Sequence, residues 1–136
     1  MHILLLLLLA VNTMMPPAEA SIAGKWTTID DKTGKPRSVV EITVKDGVAS
    51  GRIVEIVDLA KRDALCAKCT GDKKDEPVLG MRIIQGMTRS GNDWTGGTIL
   101  DPESGKTYDC KIWLEDGDLK VRGYVAFFYR TQTWVR

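Results

Sequence analysis

The chain has 136 residues, with 19 Lys and Arg residues, 18 Asp and Glu residues and a single histidine, His2. Its nearly balanced charge is dispersed along the sequence, which excludes the basic face or stripe typical of nucleic-acid-binding proteins. Because the histidine is the second residue, the rest of the chain offers no histidine general base, zinc ligand or haem ligand.

The first twenty residues resemble a secretory signal peptide. A run of Ile and Leu is followed by Pro16-Pro17 and by the small-x-small site Ala18-Glu19-Ala20. The apolar run is shorter than the roughly 20 residues that a permanent membrane helix needs. We therefore expect cleavage after Ala20 and export to the periplasm or the exterior. Residues 21–136 are then expected to form one domain with a single core and no membrane span.

The domain opens with two predicted strands, residues 24–29 and 38–45, separated by a polar turn. Asp46-Gly47 has the composition of a type I′ hairpin turn, because both of its central positions need positive φ. This turn begins a third strand that runs to about Val57. The register that it sets pairs the inward-facing residues Val44 with Ala49, Ile42 with Gly51 and Val40 with Ile53.

One long connection, residues 58–77, joins the third and fourth predicted strands, whereas the other connections are short turns. Its length of about 20 residues is unusual in a compact β domain and is more typical of a functional segment or lid. Asp58 is placed to cap one or two helical turns at its start. A fourth strand, residues 79–87, is predicted to follow it.

The stretch Asp93–Val125 predicts three strands joined by a turn at residues 101–105 and by a second type I′ turn at Asp116-Gly117. The second turn places an apolar face inside and a polar face outside, with Lys111 opposite Arg122. The predicted inward pairs are Leu114 with Leu119, Ile112 with Val121, Cys110 with Gly123 and Tyr108 with Val125.

An apolar connection, residues 126–129, and a last strand, residues 130–135, complete eight short strands. Such a meander either exposes two edges or closes, and closure into an antiparallel up-and-down barrel removes both edges. We predict an all-β fold of this kind. Eight strands enclose an interior that side chains can fill or that can hold one small ligand, and the pattern leaves both outcomes open.

Three cysteines lie in the predicted domain. Cys66-Ala67-Lys68-Cys69 lacks the βα surroundings of a thioredoxin-like redox motif, the four ligands of structural zinc and the histidine of a haem attachment site. We predict a structural disulfide between Cys66 and Cys69, with Cys110 buried and reduced. A bridge from one loop cysteine to Cys110, across the barrel mouth, is the alternative.

Four segments carry a family resemblance: GKWTTIDDKTGKPRS, LCAKCTGDKK, GGTILDPESGKTYDCKIWLEDGDLKVRGY and the ending RTQTWVR. They closely resemble a family of small exported bacterial proteins known as domain of unknown function 2147. The resemblance implies a lipocalin-like barrel and brings no catalytic residue. In the wider lipocalin superfamily a Gly-x-Trp on the first strand packs under an arginine from the last. Gly24 and Trp26 match the first part, and Arg130 or Arg136 the second.

We expect a binding or carrier protein for a small apolar ligand, with no cofactor, no metal and no catalytic constellation. The candidate ligand-binding residues are aromatic: Trp26, Tyr108, Phe127 and Phe128. Trp26 is also a natural core residue, and Phe127 and Phe128 form a candidate exposed apolar patch with Tyr129. The alternative function is therefore an interaction module for an envelope protein partner, without a ligand cavity.

Overall fold

The computed structural model describes residues 22–136 and the isolated residue Ala10. The predicted cleavage site after Ala20 lies outside the described residues, as does the predicted signal peptide apart from Ala10. Within the described part of the chain, no helix is both long enough and apolar enough to cross a membrane.

Eight antiparallel strands form one sheet in which each strand pairs with the next along the chain. Only two short 3-10 turns, Leu59–Lys61 and Gly71–Lys73, interrupt this order among the described residues, and both lie between the third and fourth strands. The strands are β1 Gly24–Ile29, β2 Pro36–Lys45, β3 Val48–Ile56, β4 Arg82–Ser90, β5 Asp93–Asp101, β6 Lys106–Glu115, β7 Asp118–Val125 and β8 Phe128–Trp134.

The sheet closes on itself through its first and last strands. Thr27 in β1 and Val135, just after β8, form an antiparallel bridge. The Thr27 amide donates to the Val135 carbonyl at 2.6 Å, and the Val135 amide donates to the Thr27 carbonyl at 2.9 Å. These bonds satisfy edge groups that an open sheet would expose. The predicted eight-stranded up-and-down barrel is confirmed.

Both predicted type I′ turns are confirmed by their backbone angles. Asp46 and Gly47 have φ of 53° and 77°, and Asp116 and Gly117 have φ of 53° and 84°. The registers follow from these turns, because a two-residue loop determines which residues lie opposite each other. The confirmed inward pairs are Val44 with Ala49, Ile42 with Gly51, Val40 with Ile53, Leu114 with Leu119, Ile112 with Val121 and Cys110 with Gly123.

Three strands differ clearly from the sequence-based prediction. β2 begins at Pro36, not at residue 38, and β4 ends at Ser90, not at residue 87. β4 begins at Arg82, not at Leu79, because Gly80 has a φ of 87° and bends the chain before the strand. β8 begins at Phe128, so Phe128 and Tyr129 belong to a strand and not to a connection. The predicted apolar connection over residues 126–129 is therefore too long, because the turn consists of Ala126 and Phe127 alone.

The core fills the interior most completely at the end of the barrel that carries the two type I′ turns. We call it the tryptophan end, because Trp26, Trp94 and Trp134 are all buried there. The opposite end carries the long connection and the turns between β1 and β2, β5 and β6, and β7 and β8, and we call it the loop end. The further buried side chains that pack with the tryptophans include Ile22, Val40, Ile42, Ala49, Ile84, Met87, Ile112, Leu119 and Val121.

Candidate functional site

The tryptophan end is closed by an arginine that packs on a buried indole. Trp26 is fully buried, and its Nε1 donates a hydrogen bond of 2.9 Å to the Ile22 carbonyl. The Arg136 guanidinium carbon lies 4.1 Å from the centroid of the Trp26 ring, and Arg136 also donates to the Ala23 carbonyl at 3.3 Å. Of the two arginines that the sequence offered for this role, Arg136 occupies it. Trp26 is thus part of the core at this end, and its contact with a ligand stays a prediction.

The loop end differs because inward-facing side chains there reach solvent. Tyr108 and Gly123 follow the inward pattern of β6 and β7, and a Cβ on Gly123 would lie 3.6 Å from the Tyr108 Cβ and 3.8 Å from the Ile99 Cγ2. Ile99 pairs directly with Tyr108. The side chains of Ile99 and Tyr108 are only partly buried. Ile112, the second inward-facing residue of β6 after Tyr108, has no exposed surface.

We call this surface the mouth, and it extends across four neighbouring strands. Val125 continues the inward face of β7 beyond Gly123, and Phe128 on β8 is its cross-strand partner on the same face. Val125 is partly buried and Phe128 is 65% exposed. The residues of the mouth are Ile99, Tyr108, Val125 and Phe128.

The structure brings two of the four predicted ligand residues, Tyr108 and Phe128, to the mouth. Phe127 lies at the tip of the turn between β7 and β8 and is completely exposed, at 103%. Sequence reasoning did not single out Ile99 and Val125. Val125 could have been found, because the predicted register already paired it with Tyr108, whereas Ile99 required the pairing of β5 with β6.

The connection between β3 and β4 packs over the loop end through its disulfide. Cys66 and Cys69 form the predicted disulfide, and the alternative bridge to Cys110 is not formed. Both bonded cysteines are almost fully buried. The Cys66 sulfur lies 3.4 Å from the Pro102 carbonyl oxygen in the turn between β5 and β6. In the same turn, a Cβ on Gly105 would clash with the backbone of Lys68. The disulfide therefore fastens the connection to this turn.

Two ion pairs join elements around the loop end. Arg37 at the start of β2 contacts Glu103 in the turn between β5 and β6 at 2.7 Å. Because β3 and β4 separate these elements in the sheet, this pair reaches across the end of the barrel. Its hydrogen bond and charge lower the pKa of the Glu103 carboxyl. The second pair, Arg130 with Asp31 at 2.6 Å, links β8 to the turn after β1.

The chemistry available at this end is that of binding surfaces. Within residues 22–136, no group of three or more His, Cys, Asp or Glu side chains is arranged to hold a metal ion. The remaining thiol, Cys110, is free and buried, and burial raises its pKa to about 12, so it is a poor nucleophile at neutral pH. The mouth itself offers aromatic and aliphatic side chains with one phenol hydroxyl, on Tyr108.

The closed meander, the indole beneath a C-terminal arginine and the open loop end define a lipocalin-like barrel. A solved structure with a similar fold is described as "Protein HP1028 from the human pathogen Helicobacter pylori belongs to the lipocalin family". It matches with a TM-score of 0.72 and 19% sequence identity, over 84% of this chain and 81% of that one. At this identity the likeness supports the fold alone.

Residues 24–136 match the model of the family described as "Uncharacterized protein conserved in bacteria (DUF2147)", and the chain belongs to that family. The resemblance seen in the four sequence segments is therefore confirmed. A search of the curated proteins finds no match.

Proposed function

We propose that this protein is an exported, non-catalytic barrel that binds a small, predominantly apolar molecule at the mouth. One observation supports the proposal above the others: Ile99, Tyr108 and Val125 face inward, are apolar in most of their surface and are still partly open to solvent. Covering such a surface with an apolar ligand is favourable by roughly 25 cal/mol for each Å² removed from water. The lipocalin-like fold agrees with a binding role.

Export is part of the proposal and has two supports. The first is the signal-peptide character of the N-terminal sequence. The second is the Cys66–Cys69 disulfide, since structural disulfides persist mainly in oxidising compartments.

Native mass spectrometry on protein purified from the envelope of its host is the direct test. A stoichiometric small molecule, released by denaturation and identified, would support the carrier function and name the ligand class.

The matched binding test uses the neutral dye N-phenyl-1-naphthylamine on two single variants. We expect Phe128→Ser to weaken dye binding about tenfold or more, because burying a phenyl ring contributes roughly 1.5–3 kcal/mol. Phe127→Ser, at the exposed tip, should leave dye affinity within a factor of two. Equal effects of the two variants would contradict binding at the mouth.

A second function is favoured by one specific observation. Phe127 is fully exposed, and Tyr129 and Tyr124 beside it are 56% and 39% exposed. Contiguous exposed aromatic surface is typical of protein interaction sites. We propose that an envelope protein partner would bind this tip if the mouth takes no ligand. In that case Phe127→Ser would abolish capture of the partner and would leave dye binding unchanged.

A further inference from the structure

A groove of about 480 Å³ lies where the long connection returns to the outer surface of β3 and β4. It does not belong to the mouth, because its strand residues Arg52 and Arg82 are exposed and face away from the interior. Three of its lining side chains are cationic and one is acidic. The lining includes Arg52, Lys73, Glu76, Pro77, Leu79 and Arg82.

Two arginines lie directly opposite each other in this groove. Arg52 in β3 is the cross-strand partner of Arg82 in β4. Like charges at directly opposed positions destabilise a sheet. A third cation is held beside them, since the Lys73 Nζ donates to the Arg82 carbonyl at 3.0 Å. Lys73 is partly buried, so its charge is less screened by water than that of a free surface lysine.

Two carboxylates lie near the groove without contacting its cations. Glu76 lines the groove, and Glu41 is the partner of Arg52 on the other side, in β2. Within residues 22–136, neither carboxylate forms an ion pair with Arg52, Arg82 or Lys73. The Arg52 guanidinium instead donates to the Gly80 carbonyl at 3.1 Å, which holds it against the groove.

A second pair of opposed cations on the same sheet shows how the fold handles this repulsion elsewhere. Lys111 in β6 lies opposite Arg122 in β7. There Asp93 contacts Lys111 at 3.4 Å, and Arg122 stacks over the Tyr129 ring at 3.9 Å from its centroid. Arg52 and Arg82 have no such carboxylate or aromatic contact among the described residues. Their arrangement has the character of a site that an external anion completes.

The groove also offers apolar surface beside the charges. Leu79 is partly buried and Pro77 is exposed, whereas Met81 beneath them is buried in the core. We propose that this groove binds a small organic anion, one carboxylate or phosphate group attached to a short apolar portion. The guanidinium groups of Arg52 and Arg82 would hold the oxyanion, Lys73 would add a third donor, and Pro77 and Leu79 would contact the apolar portion. Arginine suits this role because its planar fork matches carboxylate and phosphate geometry.

The test is titration of the full-length protein with hexyl phosphate, monitored by calorimetry or by NMR. We expect the double variant Arg52→Gln, Arg82→Gln to lower the affinity at least tenfold, and inorganic phosphate to bind wild type more weakly than hexyl phosphate. The matched control is Lys111→Gln, Arg122→Gln, which removes an opposed cationic pair of the same kind from the same sheet. It should keep the affinity within a factor of two.

The proposal is overturned if wild type does not bind hexyl phosphate or if both double variants lose affinity equally. Binding of N-phenyl-1-naphthylamine at the mouth reports folding of each variant and does not depend on these arginines, so a failure of this site is distinguishable from a failure of the mouth. Displacement of hexyl phosphate by vesicles containing phosphatidylglycerol would identify a lipid headgroup as the source of the anion. Persistence of binding in their presence would identify a soluble anion.

Discussion

Cys110 is a buried thiol in the barrel interior, opposite Gly123, and burial raises its pKa from an ordinary value of 9.0 to about 12. Because folding favours the neutral thiol, its contribution to stability is fully present below about pH 9 and is lost as the pH rises towards 12. We expect the free energy of unfolding of wild type to fall across this window more steeply than that of Cys110→Ala, by up to roughly 1.4 kcal/mol per pH unit. Urea titrations at several pH values measure both slopes.

Parallel slopes for wild type and Cys110→Ala would show that the thiol reaches solvent in the folded state. The inward position of Cys110 could be predicted from sequence, because the Asp116-Gly117 turn determines the register of its strand. Its lack of a partner was also predicted correctly, although the spacing of three cysteines left a bridge to Cys110 as an alternative. The close approach of the Lys68 backbone to Gly105, in the turn between β5 and β6, could not be predicted from local sequence.

The disulfide loop between β3 and β4 is an element with its own hydrogen bonds. The Cys66 amide donates to the Glu76 carbonyl at 2.8 Å, and the Val78 amide donates to the Ala64 carbonyl at 3.0 Å. Closing so short a ring removes conformational entropy from the unfolded chain and so raises its free energy by about 2 kcal/mol. We expect Cys66→Ser, Cys69→Ser to speed amide hydrogen exchange in residues 64–78 about tenfold, with β6 and β7 unchanged. Cys110→Ala is the control, and uniform loss of protection throughout the barrel would contradict a local role.

Elements differed in how far the sequence could predict them. Hairpins with two-residue turns were predictable, because Asp-Gly determines both the backbone angles and the register. The pairing of β3 with β4 was not, because a long connection joins them and the register shifts on both sides of Gly51. Arg52 and Arg82 therefore become neighbours through a strand pairing that no local sequence pattern indicates. For this reason the sequence analysis did not find the groove, whereas it identified two residues of the mouth, Tyr108 and Phe128.

Closure involves the whole barrel. The sequence predicts that the sheet closes, but it does not predict which residues join its two edges. A meander of eight strands has two edges, and the Thr27–Val135 bridge joins them. The sequence left the partner of Trp26 open between Arg130 and Arg136, since one arginine begins the predicted last strand and the other follows it. The structure gives them different tasks: Arg136 covers the indole at the tryptophan end, and Arg130 pairs with Asp31 at the loop end.

These two arginines allow closure to be tested. Arg136 stacks on a fully buried indole beside the only bridge between β1 and the end of β8 that the described residues form. Arg136 is exposed, so its cation–π contact is worth roughly 0.5–1 kcal/mol, and an exposed ion pair contributes roughly 0–1 kcal/mol. We expect Arg136→Ala to lower the free energy of unfolding by about 1 kcal/mol and to speed exchange of the Thr27 and Val135 amides. Arg130→Ala should cost less than about 1 kcal/mol and leave those amides protected. Equal losses in urea unfolding, with no change at Thr27, would show that closure does not depend on this stacking.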